Sequence, residues 1–412
     1  MNYEYFIAKR IISSKTYKSS VSAPIIKIGI SAIAVGMVVM LIAIATGLGL
    51  QKKVREKVVA FNGHITISNY DGNISNESVV PISTKQNFYP NFNSVSGIDH
   101  IQKVATKFGV IRTETDFEGI VLKGVGRDYN WQYVEDFLVK GSLPSYGEGT
   151  SNDILISSYL ANRLQFDIGD KFQTIFGKES IEQLPFQRQF KIVGIFSSGF
   201  QEIDKTFMIG DINHIVRMNK WKKDEIGNFE IFLDDFKELR NKENEIRNAI
   251  PPLLNTQNIE EKFYTTFEWI KIFDNNTYGI IAIMIIVAGI NMITALLVLI
   301  LERTQMIGVL KALGSNNWSI RKLFLFNATY LIGLGLLYGN IIGLGLLFAQ
   351  QYFEILEFPN PEQYYVSVIP VYIGFKSILL LNLGTFVSCL LMMLIPSYII
   401  TKISPVKAMR FE

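Results

Sequence analysis

Four long runs without a charged side chain break up this sequence: residues 28–51, 275–301, 323–353 and 377–401. Each holds between 24 and 31 residues, and roughly 20 apolar residues in helical conformation suffice to cross a bilayer. The pattern therefore predicts four transmembrane helices. The first stands apart, and a long polar segment separates it from the other three. Helical spacing continues beyond the first run at Val54, Val58 and Phe61, among Lys52, Lys53, Arg55, Glu56 and Lys57, until Asn62-Gly63 supplies a stop. On the return, Thr265 and Glu268 have the spacing of a capping box, and Trp269, Ile272 and Phe273 carry an apolar face into the second run. A helix over residues 266–301 would be about 54 Å long against a hydrocarbon core of about 30 Å, so a rigid lever of about 20 Å is expected to stand clear of the membrane.

Between these stalks the periodicity changes. Short β-rich runs at residues 65–68, 120–125, 154–157, 190–196 and 229–233 alternate with helical patterns at 158–165 and 235–250. Residues 69–97, rich in Asn, Ser and Pro, read as loop or insertion. The fold class is thus a membrane α-helical protein of four transmembrane helices with an extracytoplasmic α/β domain inserted between helices one and two. The divisions fall at 1–51 (N-terminal flank and helix one), 52–274 (external domain with its stalks) and 275–412 (helices two to four).

Charge sets the orientation, because Lys and Arg in short flanks are retained in the cytoplasm. Lys9, Arg10, Lys15, Lys18 and Lys27 precede the first helix, Arg303, Lys311, Arg321 and Lys322 lie between the second and third, and Lys402, Lys407 and Arg410 follow the fourth. The turn between the third and fourth instead carries Glu354, Glu357 and Glu362 against Lys376. Both termini are expected inside and residues 52–274 outside. The cationic start with Ala43-Ile44-Ala45 has the layout of a signal peptide, but its apolar run exceeds the roughly 7 to 15 residues of such a core, so a retained helix is expected.

A net charge of +3 over 412 residues argues against a nucleic-acid partner. One cysteine and three scattered histidines, His64, His100 and His214, argue against a thiolate or histidine metal site. The histidines read as surface or satisfied core residues. No phosphate loop, zinc-protease motif or nucleophile elbow is present, so no catalytic residue is assigned. The membrane runs hold no titratable acid, base or histidine, which argues against a proton- or ion-coupled carrier. Gly335, Gly339 and Gly343 stand four apart and permit close helix packing within the chain. Asn291 reads as an interhelical hydrogen bond and Cys389 as a small packed residue.

The most informative stretch runs from Glu302 through Arg303, Met306, Ile307, Gly308, Val309, Leu310 and Lys311 to Leu313, Gly314 and Ser315. Met306, Val309, Leu310 and Leu313 share one helical face, Gly314 can end that helix, and Ser315 or Asn316 can cap the next. A short amphipathic helix between two membrane helices gives a motor subunit something to grip.

This stretch resembles the E-R-x-x-E-I-G-x-L-K-A-L-G-A signature of FtsX-like permeases, the membrane subunits of ABC transporters of the macrolide-exporter type; Met306 stands where that family commonly has an acid. Residues 404–412, from Ser404-Pro405 to Phe411-Glu412, are similar to the family's P-x-x-A-L-R-Y-E ending. Within the family the resemblance is nearest to the lipoprotein-releasing permeases: Pro185-Phe186-Gln187-Arg188-Gln189-Phe190 resembles the segment that closes their carrier-recruiting hook, and Val287 to Thr294 resembles their second membrane helix. The resemblance implies no cofactor on this chain, with ATP and magnesium on a separate dimeric cytoplasmic ATPase that grips residues 302–314. It implies a second permease chain, identical or related, and a bacterial inner-membrane location. A hook built by Phe176, Ile181, Leu184, Pro185, Phe186, Gln187 and Arg188 would dock a periplasmic lipoprotein carrier. Lipid chains of the lipoprotein would be received by Leu41, Ile44, Ala45 and Leu48 of helix one and Ile272, Phe273 and Tyr278 at the entry to helix two. Two other functions fit the same frame: export of peptides or other amphiphiles, and signalling to a cell-wall hydrolase.

Overall fold

The computed structural model of the chain describes residues 22–70, 77–113, 116–147, 149–177, 184–359 and 366–403. Two compact units form, one of Lys53–Glu268 together with Phe358–Ser367, and one of the chain up to Lys52 with Trp269–Glu357 and the chain from Val368 onward. Their elements, in chain order, begin with α1 (Ser22–Asn62), β1 (Ile65–Asn69), β2 (Ile82–Ser83), β3 (Ile98–Arg112), β4 (Phe117–Val125), α2 (Gln132–Glu135) and β5 (Leu138–Gly141). Then come β6 (Asp153–Ser157), α3 (Ser158–Leu164), β7 (Lys171–Phe176), β8 (Phe186–Phe196), α4 (Gln201–Asp204), β9 (Phe207–Asp211), α5 (Ile212–Met218), β10 (Glu225–Ile226) and β11 (Asn228–Leu233). The chain closes with α6 (Leu239–Ala249), β12 (Leu254–Asn258), α7 (Ile259–Lys262), α8 (Tyr264–Glu302), α9 (Thr304–Ala312), α10 (Asn317–Phe353), α11 (Phe375–Ser397) and α12 (Ile399–Lys402).

In the membrane unit, α1, α8, α10 and the α11–α12 pair are each long and apolar enough to span a bilayer. They pack around Ile33, Met37, Met292, Phe324, Ile332 and Cys389. The glycine stripe of α10 lies against α1: a Cβ on Gly335 would stand 2.7 Å from Ile33 Cβ, one on Gly339 2.6 Å from Met37 Cβ, and one on Gly343 2.8 Å from Leu41 Cδ1. Only a residue without a side chain allows that approach. Asn291 donates to the Val287 carbonyl at 3.0 Å, one turn back on its own helix. The interhelical amide bridge is made elsewhere, by reciprocal bonds of 2.6 and 3.0 Å between Asn340 of α10 and Asn382 of α11.

In the external unit a mixed ten-stranded sheet runs β12-β1-β11-β3-β4-β9-β6-β8-β5, with β7 bridging β3 and β8. The β4–β9 and β6–β8 pairs are parallel and the other registers antiparallel. Strand β3 is the spine: β11 and then β7 pair along one edge, β4 along the other. Phe190, Phe196, Phe200, Phe229 and Phe232 fill the core, each less than 2% exposed. Helix α3 starts where Ser157 Oγ accepts from Leu160 N, and α5 where Asp211 Oδ1 accepts from Asn213 N.

One reading of the sequence is refined here and another corrected. Residues 77–97 are largely loop, as read, but the loop is packed into the domain and not free of it: β2 pairs with β10, and Phe88, Phe92 and Val95 are buried, with Phe88 stacked on Phe92 at 5.3 Å and edge-on to Phe229. The return stalk does not start at a Thr265–Glu268 box. Asn258 Oδ1 accepts from Glu261 N and opens α7, and Phe263 N and Phe267 N donate one turn back to Ile259 and Phe263, so helical backbone is already established before Thr265.

Candidate functional site

The hairpin between α8 and α10 folds as its sequence dictates. Helix α9 ends at Gly314, whose φ of +90° only glycine adopts without strain, while Ser315 N reaches back to Leu310 O at 3.0 Å. Asn316 Oδ1 then accepts from Ser319 N at 2.7 Å and starts α10. Lys311 Nζ donates to the carbonyls of Ile400 at 2.8 Å and Ile403 at 2.7 Å, which fastens α9 to the end of α12. Met306, Val309, Leu310 and Leu313 do not present a single outward face. Ile307 lies at the centre of the buried side, so Met306 and Leu310, on its flank, pack on the membrane core. Val309 and Leu313 point away, 45% and 78% exposed. Glu302 is exposed at the end of α8 and Arg303 half-buried before α9.

A second constellation ends α1, within the external unit. Lys123 of β4 donates to the Phe61 carbonyl in the last turn of α1 at 2.5 Å and to both oxygens of Glu230 of β11 at 2.6 and 2.9 Å. Gln102 Nε2 completes the Glu230 carboxylate at 2.9 Å, and Lys262 of α7 donates to Asn62 Oδ1 at 3.0 Å. Burial pushes the Lys262 amine down to about 8, Glu230 opposing and Lys123 adding to the shift. Carbonyl and amide groups at the C-terminus of α1 suit these cations. The sequence reading missed this cluster; its signal was a lysine and a glutamate inside otherwise apolar strand runs.

Beside it, His64 Nδ1 accepts from Leu233 N at 3.0 Å. Burial pushes the imidazole down to about 4, and Asp99 only partly offsets this. The unfolded chain, with a histidine near 6.5, therefore binds more protons between about pH 6.5 and 4. Stability is complete above that window and falls as the pH drops through it, by up to about 3 kcal/mol at about 1.4 kcal/mol per unit. Thermal unfolding of the solubilised chain at pH 7 and pH 4.5 is expected to show this loss, and His64→Gln is expected to remove part of it.

The candidate lipid site resolves into a cavity of about 380 Å3 between α1, α8 and α11. Ile44, Leu48 and Tyr278 line it, together with Ile281, Ile285 and Leu380. Leu41 and Ala45 border a much narrower fissure next to it. Ile272 and Phe273 do not line it: α8 turns Thr277, Tyr278, Ile281 and Ile285 inward instead, and Ile272 is 55% exposed. At its rim Asp274 accepts a hydrogen bond from Gln51 Nε2, which ties α8 to α1.

The hook lies between β7 and β8, whose register pairs Phe172 with Phe190 and Phe176 with Phe186. Phe176 is fully buried and meets Phe190 edge-on at 6.3 Å, so it anchors the hairpin and is not available for docking. Leu184 is 85% exposed, Pro185 and Gln187 are exposed and Phe186 half-exposed, and the Arg188 guanidinium stands 5.8 Å over the Phe186 ring. Ile181 lies outside the described residues, as do residues 404–412. Among the described residues no group of histidine, cysteine, aspartate and glutamate side chains gathers as for a metal ion.

Four apolar spanning helices, an α/β unit inserted after the first and a capped hairpin between the second and third define a multi-pass membrane protein. The sequence matches the MacB-like periplasmic core domain over residues 28–246 and the FtsX-like permease C-terminal domain over residues 278–405. The chain belongs to this family of ABC-transporter permeases. It is 22% identical over 405 residues to the lipoprotein-releasing system transmembrane protein LolC of Xylella fastidiosa, with 92% of each chain covered. It is 20% identical over 421 residues to the corresponding LolE protein of Haemophilus influenzae, with 99% of each covered. Its external part is also similar to the periplasmic region of MacB from Actinobacillus actinomycetemcomitans, at 14% identity and a TM-score of 0.33 over 51% of this chain and 95% of that one.

Proposed function

We propose that the chain is a transmembrane subunit of an inner-membrane ABC transporter that releases lipoproteins toward a periplasmic carrier. A separate dimeric ATPase holds ATP and magnesium, and a second permease chain, identical or related, completes the membrane layer. The cavity between α1, α8 and α11 carries this reading. An acyl chain of roughly 16 carbons loses about 12 kcal/mol of apolar burial in water, at about 0.8 kcal/mol per methylene. A release route therefore has to remain apolar, and Ile44, Leu48, Ile281, Ile285 and Leu380 supply such a wall. Relatives named for lipoprotein release along nearly their whole length support the cargo class. In the mechanism, closure of the ATPase on nucleotide pushes α9 through Val309 and Leu313. Ile307 and Lys311 join that push to the helix bundle. Helices α1 and α8 carry it outward, and the tips at Leu184 and Phe186 receive the carrier.

Gly384 lines the cavity, and a Cβ there would meet no atom within 4 Å. Gly384→Phe therefore starts its side chain in open space and directs a ring into the cavity. The purified complex is expected to capture a triacylated protein and not its unacylated form, and Gly384→Phe to cut capture at least tenfold, about 1.4 kcal/mol. Equal capture of both forms contradicts the proposal.

A further inference from the structure

Helices α10 and α11 leave a second apolar groove, on the hairpin half of the membrane unit, and we propose that it holds one anionic glycerophospholipid. Leu325 and Phe326 of α10 face Val387, Leu390 and Leu391 of α11 across about 370 Å3, within the roughly 300–1,000 Å3 of ligand sites. The groove has one charged end, Lys322. Its other polar residue, Thr329, already donates to the Leu325 carbonyl at 2.9 Å, and among the described residues no acidic side chain lines it.

The neighbouring cation is engaged in the fold. The Leu394 carbonyl accepts from Ser397 Oγ at 2.8 Å. Arg321 Nη2 approaches that carbonyl at 3.4 Å, and its Nε donates to Ser397 Oγ at 3.2 Å. Among the described residues Lys322 is thus the cation that faces the groove, with its amine 5.9 Å from the Trp318 ring. Trp318 and Tyr398 are half exposed, as aromatic residues at a membrane interface are. An apolar trough ending in an ammonium beside interfacial rings matches an acyl chain ending in a phosphate, and basic pockets between membrane helices select acidic headgroups. An apolar helix from another protein would cover the same trough but leave Lys322 without a counter-charge. Such a lipid would be held whatever the transporter's cargo.

The test is native mass spectrometry of the full chain in mild detergent, offered equal amounts of phosphatidylglycerol and phosphatidylcholine. The wild type is expected to retain phosphatidylglycerol at least fivefold over phosphatidylcholine, and Lys322→Gln to bring the ratio near one while still retaining lipid. Leu391→Trp, which fills the trough, is expected to lose both lipids at unchanged melting temperature. No preference in the wild type, or a preference that survives Lys322→Gln, overturns the proposal. So does a photo-reactive residue at position 391 that joins a protein and not a lipid in membranes.

Discussion

Lys123→Met is expected to destabilise the external unit by about 3–5 kcal/mol, the usual cost of leaving one partner of a buried ion pair alone. The side chains of Lys123 and Glu230 are only 4% and 5% exposed, so water cannot take over. The loss corresponds to a fall of roughly 6–20 °C in the melting temperature of a unit this size. The Lys123→Met, Glu230→Leu pair replaces the ion pair with apolar volume and is expected to recover most of that stability, since buried pairs are often neutral against hydrophobic isosteres. It does not restore the bond from Lys123 to the Phe61 carbonyl at the end of α1. Under the proposed coupling, the double variant therefore melts near the wild-type temperature yet releases cargo more slowly. Melting and release assays on the same preparations separate the two effects, and a double variant with full release rate shows that the Lys123–Phe61 bond plays no part in coupling.

Leu313→Asp is expected to weaken binding of the ATPase by about 30-fold, roughly 2 kcal/mol, while leaving the permease folded. At 78% exposure Leu313 contributes little to its own chain, so an aspartate there costs the isolated fold almost nothing. In a contact with the ATPase it would both remove apolar burial and introduce a charge that has to be desolvated. Leu310 is a less informative position, because it packs on the membrane core and its replacement by a charge would damage the fold as well. Pull-down of the ATPase by each variant, beside its melting temperature, checks the distinction.

The sequence revealed the four membrane helices, the hairpin and its caps because each rests on a local signal: an uncharged run, a glycine at a positive φ, an asparagine before a helix. It revealed much less of β3. Lys103 and Lys107 make that strand look polar, and they are tolerated because Asp128 and Glu77 lie 3.6 and 3.3 Å away, partners that only the fold supplies. The rotation of α8 was equally hidden. The apolar face that Ile272 and Phe273 carry into α8 runs into a span apolar on every side, where no pattern fixes the phase, so the sequence did not show that Thr277 and Ile281 turn into the cavity instead. In α9 the spacing gave the helix but not which flank the bundle would bury, and Ile307 decided that by packing inward. Phe176 shows the same limit: the family resemblance included it in the hook, whereas its register opposite Phe186 puts it in the core.

The most direct measurement uses the permease pair reconstituted in vesicles with its ATPase, a triacylated protein in the bilayer and a soluble carrier outside. The account predicts transfer to the carrier only when ATP and the ATPase are both present on the hairpin side, and its loss with Leu313→Asp. Transfer at full rate by the permease chains alone would contradict it.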